Sequence, residues 1–179
     1  MSVALVVAFA LLTALAAQVT IPLPFTPVPI TGQTFAVLLA GAALGSRLGA
    51  ASQGLYWMLG ALGLPFYAEA SGGWEAATGA TAGYLAGFVV AAYAVGLLAE
   101  RRQDRNVLTA VPAFLFGSVI IYLFGVSWLW YSVAAFTSAE EAMAAGMTPF
   151  IVGDLLKIGL AGLLLPAAWR LVGSIRRAP

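Results

Sequence analysis

Asp154 and Lys157 stand three residues apart inside the last apolar run of the chain, in Thr148-Pro149-Phe150-Ile151-Val152-Gly153-Asp154-Leu155-Leu156-Lys157. Lys157 is the single lysine in the sequence. On a helix this spacing puts an acid and a base on one face, close enough to touch. Thr148 followed by Pro149 predicts the helix start, with the threonine oxygen as N-cap and the proline ring at the first helical position. At about 1.5 Å per residue, Asp154 lies roughly 7 Å and Lys157 roughly 12 Å below that mouth. Charges at such depth in an apolar segment are expensive, and they face a bundle interior or a cavity rather than lipid. Two roles fit: an ion pair that holds two helices in register, and a polar ligand site.

The elements that must position this pair follow from composition. The chain has 179 residues, of which 62% are hydrophobic and 8% charged, with mean hydropathy +0.98. Soluble domains are about a quarter charged, so an integral membrane protein is expected. A spanning helix takes about 20 apolar residues. Six runs, at about 3–19, 31–46, 48–64, 81–99, 107–136 and 149–172, use nearly the whole length as one all-α bundle. They leave no space for a soluble catalytic domain. The net charge of +1 argues against a nucleic-acid partner, and the chain contains neither cysteine nor histidine. That excludes disulfides, thiol catalysis, Cys/His metal sites and serine–histidine chemistry, and no cofactor is expected on this chain.

The first run imitates a secretory signal at Ala14-Leu15-Ala16 but has no basic segment before it, so it reads as a first membrane helix. It carries small residues four apart at Ala4/Ala8 and Ala10/Ala14, a spacing that lets helices approach closely. Ile21–Ile30, IPLPFTPVPI, holds four prolines in ten residues and predicts an extended apolar connection able to cover something. Pro65–Ala80 reads as a loop containing Trp74, and Thr137–Thr148 as a polar loop.

Arg47, Arg101, Arg102, Arg105, Arg170, Arg176 and Arg177 fall in the even-numbered connections or near the C-terminus. The odd-numbered connections hold Glu69, Glu75, Glu140 and Glu141 and no basic residue. The positive-inside tendency then places both termini in the cytoplasm and the proline-rich connection outside. Runs two, four and six start at the outer side. Each carries polar groups near its start: Thr31, Gln33 and Thr34; Thr78, Thr81 and Tyr84; Asp154 and Lys157. Three such sets at similar depth describe a small polar pocket in the outer half of the membrane.

These motifs resemble the BioY family, the biotin-specific substrate-binding (S) components of energy-coupling-factor (ECF) transporters. The resemblance rests on VPITGQTFAVLLAGAALGSRLGAASQGLYWMLGALGLPFYA (Val28–Ala68), ATAGYLAGF (Ala80–Phe88) and FIVGDLLKI (Phe150–Ile158). The middle segment departs from a proline-threonine-glycine-glycine-tyrosine pattern at Ala80 and Ala82 but retains Thr81, Gly83 and Tyr84. The resemblance implies a six-helix S component in the cytoplasmic membrane that captures biotin from outside and reorients to deliver it. It implies association with a transmembrane coupling protein and two ATPase subunits, which would bind the ATP, or function without them; a homo-oligomer is an alternative assembly. Ala10 and Ala14 are expected on the face that docks on the coupling protein. For biotin, Asp154 is expected to accept from a ureido N–H, and Lys157 to donate to the ureido oxygen or to the carboxylate. Gln33, Thr31, Thr81 and Tyr84 would supply further hydrogen bonds beside Gly83, with Trp74 and the proline-rich connection over the apolar ring. Competing readings are an S component for another vitamin, a membrane assembly protein whose Asp154–Lys157 pair only fixes register, and a membrane enzyme. The last is disfavoured by the scarcity of acid–base partners.

Overall fold

The computed structural model describes residues 2–103 and 106–175. Arg105, Arg176 and Arg177, used above to orient the chain, lie outside the described residues. The helices are α1 (Ser2–Gln18), α2 (Gln33–Leu44), α3 (Ser46–Ala61), α4 (Trp74–Thr78), α5 (Ala82–Glu100), α6 (Val107–Ser132), α7 (Ala139–Gly146) and α8 (Ile151–Ile175). Each of the six apolar runs contains one helix of 12 or more residues. Among the described residues, three helical stretches are long and apolar enough to cross a membrane: Ala82–Glu100, Val107–Ser132 and Ala139–Leu165; α1 and α2 are apolar but shorter.

Helix α5 is the hub, packing on α2, α3 and α6. Its neighbours come close because small residues face it. A Cβ on Gly41 would lie 2.5 Å from the Ala92 carbonyl oxygen, and one on Gly96 would lie 2.3 Å from the Ser46 nitrogen. Gly45, at φ +81°, ends α2 and begins α3 without a linker, a backbone state that favours glycine. The turn it makes is fastened to the end of α5. Glu100 Oε1 accepts from the Ser46 N–H at 2.8 Å and from its hydroxyl at 2.7 Å.

The proline-rich connection is extended, as expected. It opens and closes on a two-rung antiparallel ribbon, β1 (Thr20–Ile21) against β2 (Ile30–Thr31). The connections at 65–80 and 137–148 are more ordered than the sequence reading allowed. Trp74–Thr78 forms α4, and Ala139–Gly146 forms α7, whose start is capped by the Ser138 hydroxyl accepting from the Glu141 N–H. Glu141 reaches back to the Thr137 N–H at 2.7 Å. Ser138-x-x-Glu141 is thus close to a capping box, a signal present in the sequence. Helix α6 stops at Ser132, four residues short of the expected run, and its 26 residues extend about 39 Å.

Two expectations are corrected. Thr148 does not cap a helix: its hydroxyl donates to the Met143 carbonyl, and Thr148–Phe150 forms a 3₁₀ turn with Pro149 in it before α8 begins. Ala10 and Ala14 do not present an open docking face. They are 0% and 7% exposed and belong to the core, because that stripe of α1 turns inward, where Thr13 donates to Gln53 of α3. At Ala10 and Ala14 the close approach is to α1's own bundle, whereas Ala4 and Ala8 are exposed.

Two apolar clusters make the core. One, with Val37, Tyr56, Tyr84, Phe88, Ile121 and Phe150, surrounds the starts of α2, α5 and α8. The other, with Leu38, Val95, Phe114, Ile158, Ala161 and Leu165, fills the bundle further along the same helices.

Candidate functional site

A cavity sits where the N-terminal ends of α2, α5 and α8 converge. It is lined by Thr31, Gln33 and Thr34; by Thr81, Tyr84, Leu85 and Phe88; and by Phe150, Asp154 and Lys157. Ile121 and Tyr122 of α6 close one side, and Val28, Pro29, Tyr67 and Ala68 come from the loops. The space free of atoms, with the open solvent at its mouth included, is about 630 Å³. The walls are mostly apolar with a few convergent polar groups, which is how such sites combine affinity with orientation.

The polar groups form two networks. In the first, Lys157 Nζ lies 2.9 Å from Asp154 Oδ1, the i,i+3 contact the spacing predicts. Thr34 Oγ1 accepts from Lys157 at 3.1 Å and donates to Asp154 Oδ1 at 3.1 Å. The Tyr122 hydroxyl donates to Asp154 Oδ2. The carboxylate is 5% exposed and receives donors from α2, α6 and α8, so its burial is compensated. An ammonium has three N–H donors, and the network takes two of Lys157's. In the second network, Gln33 donates from Nε2 to the Tyr56 hydroxyl at 2.5 Å and accepts at Oε1 from Thr31 at 2.8 Å. Both groups of the buried amide are thereby held.

Tyr84 presents its ring to the cavity, while its hydroxyl donates to the Gly146 carbonyl at 2.7 Å and so fixes the end of α7. Thr81 borders the cavity at the start of α5, where its carbonyl accepts from the Tyr84 N–H at 3.0 Å. In the loop, burial pushes the Tyr67 phenol up to about 12, so it stays a neutral donor, here to the Trp57 carbonyl at 2.6 Å.

The structure therefore brings together Asp154, Lys157, Gln33, Thr31, Thr81 and Tyr84. It does not bring Trp74 or Gly83 to the cavity. Trp74 is 74% exposed at the start of α4, because the loop it was assigned to is a helix that turns the indole outward. Gly83 lies on the α6 side of α5, where an added Cβ would be 2.3 Å from Trp128 Cβ and 2.4 Å from the Phe124 carbonyl. It is a packing position. The reading missed Tyr122, Tyr67 and Phe150 as wall residues. Tyr122 directly follows Ile121 of the buried α6 stripe at Ala110, Phe114, Gly117 and Ile121. A tyrosine beside such a stripe, opposite a buried acid, is the signal that would have found it.

The family model described as the BioY family matches residues 1–174. A probable biotin transporter BioY of Pyrococcus horikoshii is 40% identical over 172 residues, covering 96% of each chain. The biotin transporter BioY of Rhodobacter capsulatus is 41% identical over 163 residues, covering 87% of this chain and 85% of the relative. That of Thermotoga maritima is 37% identical over 144 residues, covering 80% and 82%. Among solved structures, the S-component for biotin from an ECF-type ABC transporter superposes with a TM-score of 0.83 at 22% identity, covering 94% of this chain and 90% of that one. At that identity the likeness speaks for the fold alone. With its apolar helices, the chain is a multi-pass membrane protein with an S-component fold, and it belongs to the BioY family.

Proposed function

We propose that this chain takes up biotin, as the substrate-binding component of a transporter in the cytoplasmic membrane. The observation that carries the reading is the cavity itself: an apolar chamber with a buried, fully hydrogen-bonded carboxylate and an ammonium that retains one free N–H, in a chain whose relatives are named biotin transporters. Biotin pairs a cyclic urea with an apolar sulfur ring and an aliphatic acid chain. Polar groups buried in an apolar wall select for that combination, since a ligand without matching groups leaves them unpaired.

The finer topology is part of the proposal. Helices α1, α2, α3, α5, α6 and α8 cross the membrane with both termini cytoplasmic, supported by the arginines gathered at the α2–α3 turn and after α5. The cavity then opens outward beneath the proline-rich connection. Asp154, Lys157, Thr34, Gln33, Thr31, Thr81 and Tyr84 form the polar and aromatic lining around the vitamin. Delivery occurs by reorientation of the whole chain, driven where present by a coupling protein and its ATPase subunits. The chain moves its ligand intact.

Titration calorimetry of the purified chain with biotin, beside Asp154→Asn, tests this. Saturable one-site binding by the wild type and none by a folded Asp154→Asn is the expected result. A folded wild type that ignores biotin but binds another vitamin would reassign the ligand.

A further inference from the structure

We infer that Gln18, the last residue of α1, is a positioning residue for ligand capture: its amide holds the turn at Tyr67–Ser71 in place as a wall of the cavity and so slows the escape of the ligand. The inference rests on the biotin reading of the cavity and adds what keeps one of its walls shut.

Three observations carry it. First, the amide of Gln18 spans the turn. Its Nε2 donates to the Tyr67 carbonyl at 3.1 Å, and its Oε1 accepts from the Ala70 N–H at 3.1 Å. Nε2 also reaches the Ala14 carbonyl, one turn back in α1, at 3.0 Å, which fixes the side chain over the helix end. The segment it grips brings Tyr67 and Ala68 to the cavity lining.

Second, the turn is kept in a conformation that needs outside support. Glu69 has φ +59° and ψ +32°, and Ala70 has φ +53°, both left-handed states in which a Cβ crowds the backbone. Two such residues in succession persist where the surroundings over-determine them. The turn also closes on itself, with the Tyr67 N–H on the Ser71 carbonyl at 3.0 Å and the Ser71 N–H on the Ala68 carbonyl at 3.2 Å. Among the described residues, the hydrogen bond from Ala70 to Gln18 is the one that ties Ala68–Ser71 to another element. Tyr67 is anchored separately, its hydroxyl on the Trp57 carbonyl and its ring against Gly60, where an added Cβ would overlap it. The turn therefore hangs from a fixed tyrosine and one removable latch.

Third, the end of α1 is fastened to the start of α2. The carbonyls of Ala16 and Val19 both accept from the Gly32 N–H at 3.1 Å, and a Cβ on Gly32 would lie 2.9 Å from the Ala16 oxygen. Gly32 stands between Thr31 and Gln33, both in the lining. Gln18 thus sets the loop wall relative to the polar set of α2, and the wall follows α1 when that helix tilts.

The test compares the full chain in detergent with Gln18→Met, which keeps the length of the side chain and removes both polar groups. Gln18 is exposed, so the variant is expected to melt like wild type. Dissociation of labelled biotin, chased with unlabelled biotin, should be about tenfold faster, the scale of two lost hydrogen bonds, with association changed by less than about threefold. Adding Ala70→Gly, which suits a left-handed backbone, should recover most of the loss. A side chain that only capped α1 would give neither the split between the two rates nor the rescue. Hydrogen exchange of the Tyr67–Ser71 amides, measured without ligand, should be faster in Gln18→Met. Dissociation within about twofold of wild type, or no slowing when Ala70→Gly is added, would overturn the proposal. Should a folded wild type bind no biotin, the biotin reading falls and exchange decides the latch: faster exchange supports it, and unchanged exchange overturns it.

Discussion

Tyr122 of α6 donates its phenolic proton to Asp154 Oδ2 of α8, across the wall of the cavity. The contact joins two helices and leaves Oδ1 to Lys157 and Thr34. Tyr122→Phe keeps the ring and deletes the donor. The carboxylate retains two of its three partners, so the variant is expected to fold with a loss of about 1–3 kcal/mol. Biotin affinity should fall by roughly tenfold as Oδ2 loses its anchor. Thermal unfolding and calorimetry on the same preparation check both. An unchanged melting temperature and an unchanged Kd would show that the contact organises nothing.

The pair itself separates a register pin from a ligand site. Lys157→Met alone strands a buried carboxylate, and Asp154→Asn alone strands an ammonium; either is expected to cost about 3–5 kcal/mol. Combining them removes both charges and should recover most of that stability, as replaced buried pairs commonly do. Biotin binding should stay lost in the double variant. A double variant that melts like wild type and still captures biotin would return the pair to a purely structural role.

Trp74 and Gly83 are expected to part company with the site residues. Trp74→Ala removes an exposed indole from α4 and should leave the Kd for biotin within about twofold, since surface substitutions away from a site have small effects. Gly83→Ala pushes a methyl group into Trp128 and the Phe124 carbonyl, and should lower stability by about 1–3 kcal/mol. A tenfold loss of affinity in Trp74→Ala would place the α4 segment over the ligand after all.

Ala10→Leu tests whether the small residues of α1 serve the chain's own packing. Ala10 is fully buried, so three added carbons must displace core atoms, and a loss of about 1–3 kcal/mol is expected in the isolated protein. A melting temperature equal to wild type, measured with no partner present, would contradict the inward placement.

Much of this fold could be read from hydropathy, because long apolar runs in a membrane chain have few alternatives to helix. The run from Thr81 to Ala99 became Ala82–Glu100 with almost no change. The pocket was legible through the starts of α2, α5 and α8, where polar residues interrupt apolar sequence. What stayed hidden was rotation. Ala10 and Ala14 lie four apart whichever way α1 faces, and only packing decides whether that stripe is inside or out. The position of Trp74 was hidden for a related reason: a five-residue helix leaves no periodicity to read, and the indole lies exposed and apart from the cavity lining. Tyr122 could not be chosen from the other aromatics of α6, Trp128, Trp130 and Tyr131 among them, until Asp154 stood opposite it.

Beyond Lys157, the apolar layer of Leu38, Val95, Phe114, Ile158, Ala161 and Leu165 fills the bundle, and past it Glu100 clasps the α2–α3 turn. The chamber is a cup and not a pipe. Under the reorientation proposed above, a ligand taken in at this rim leaves over the same rim, and the layer beneath stays packed.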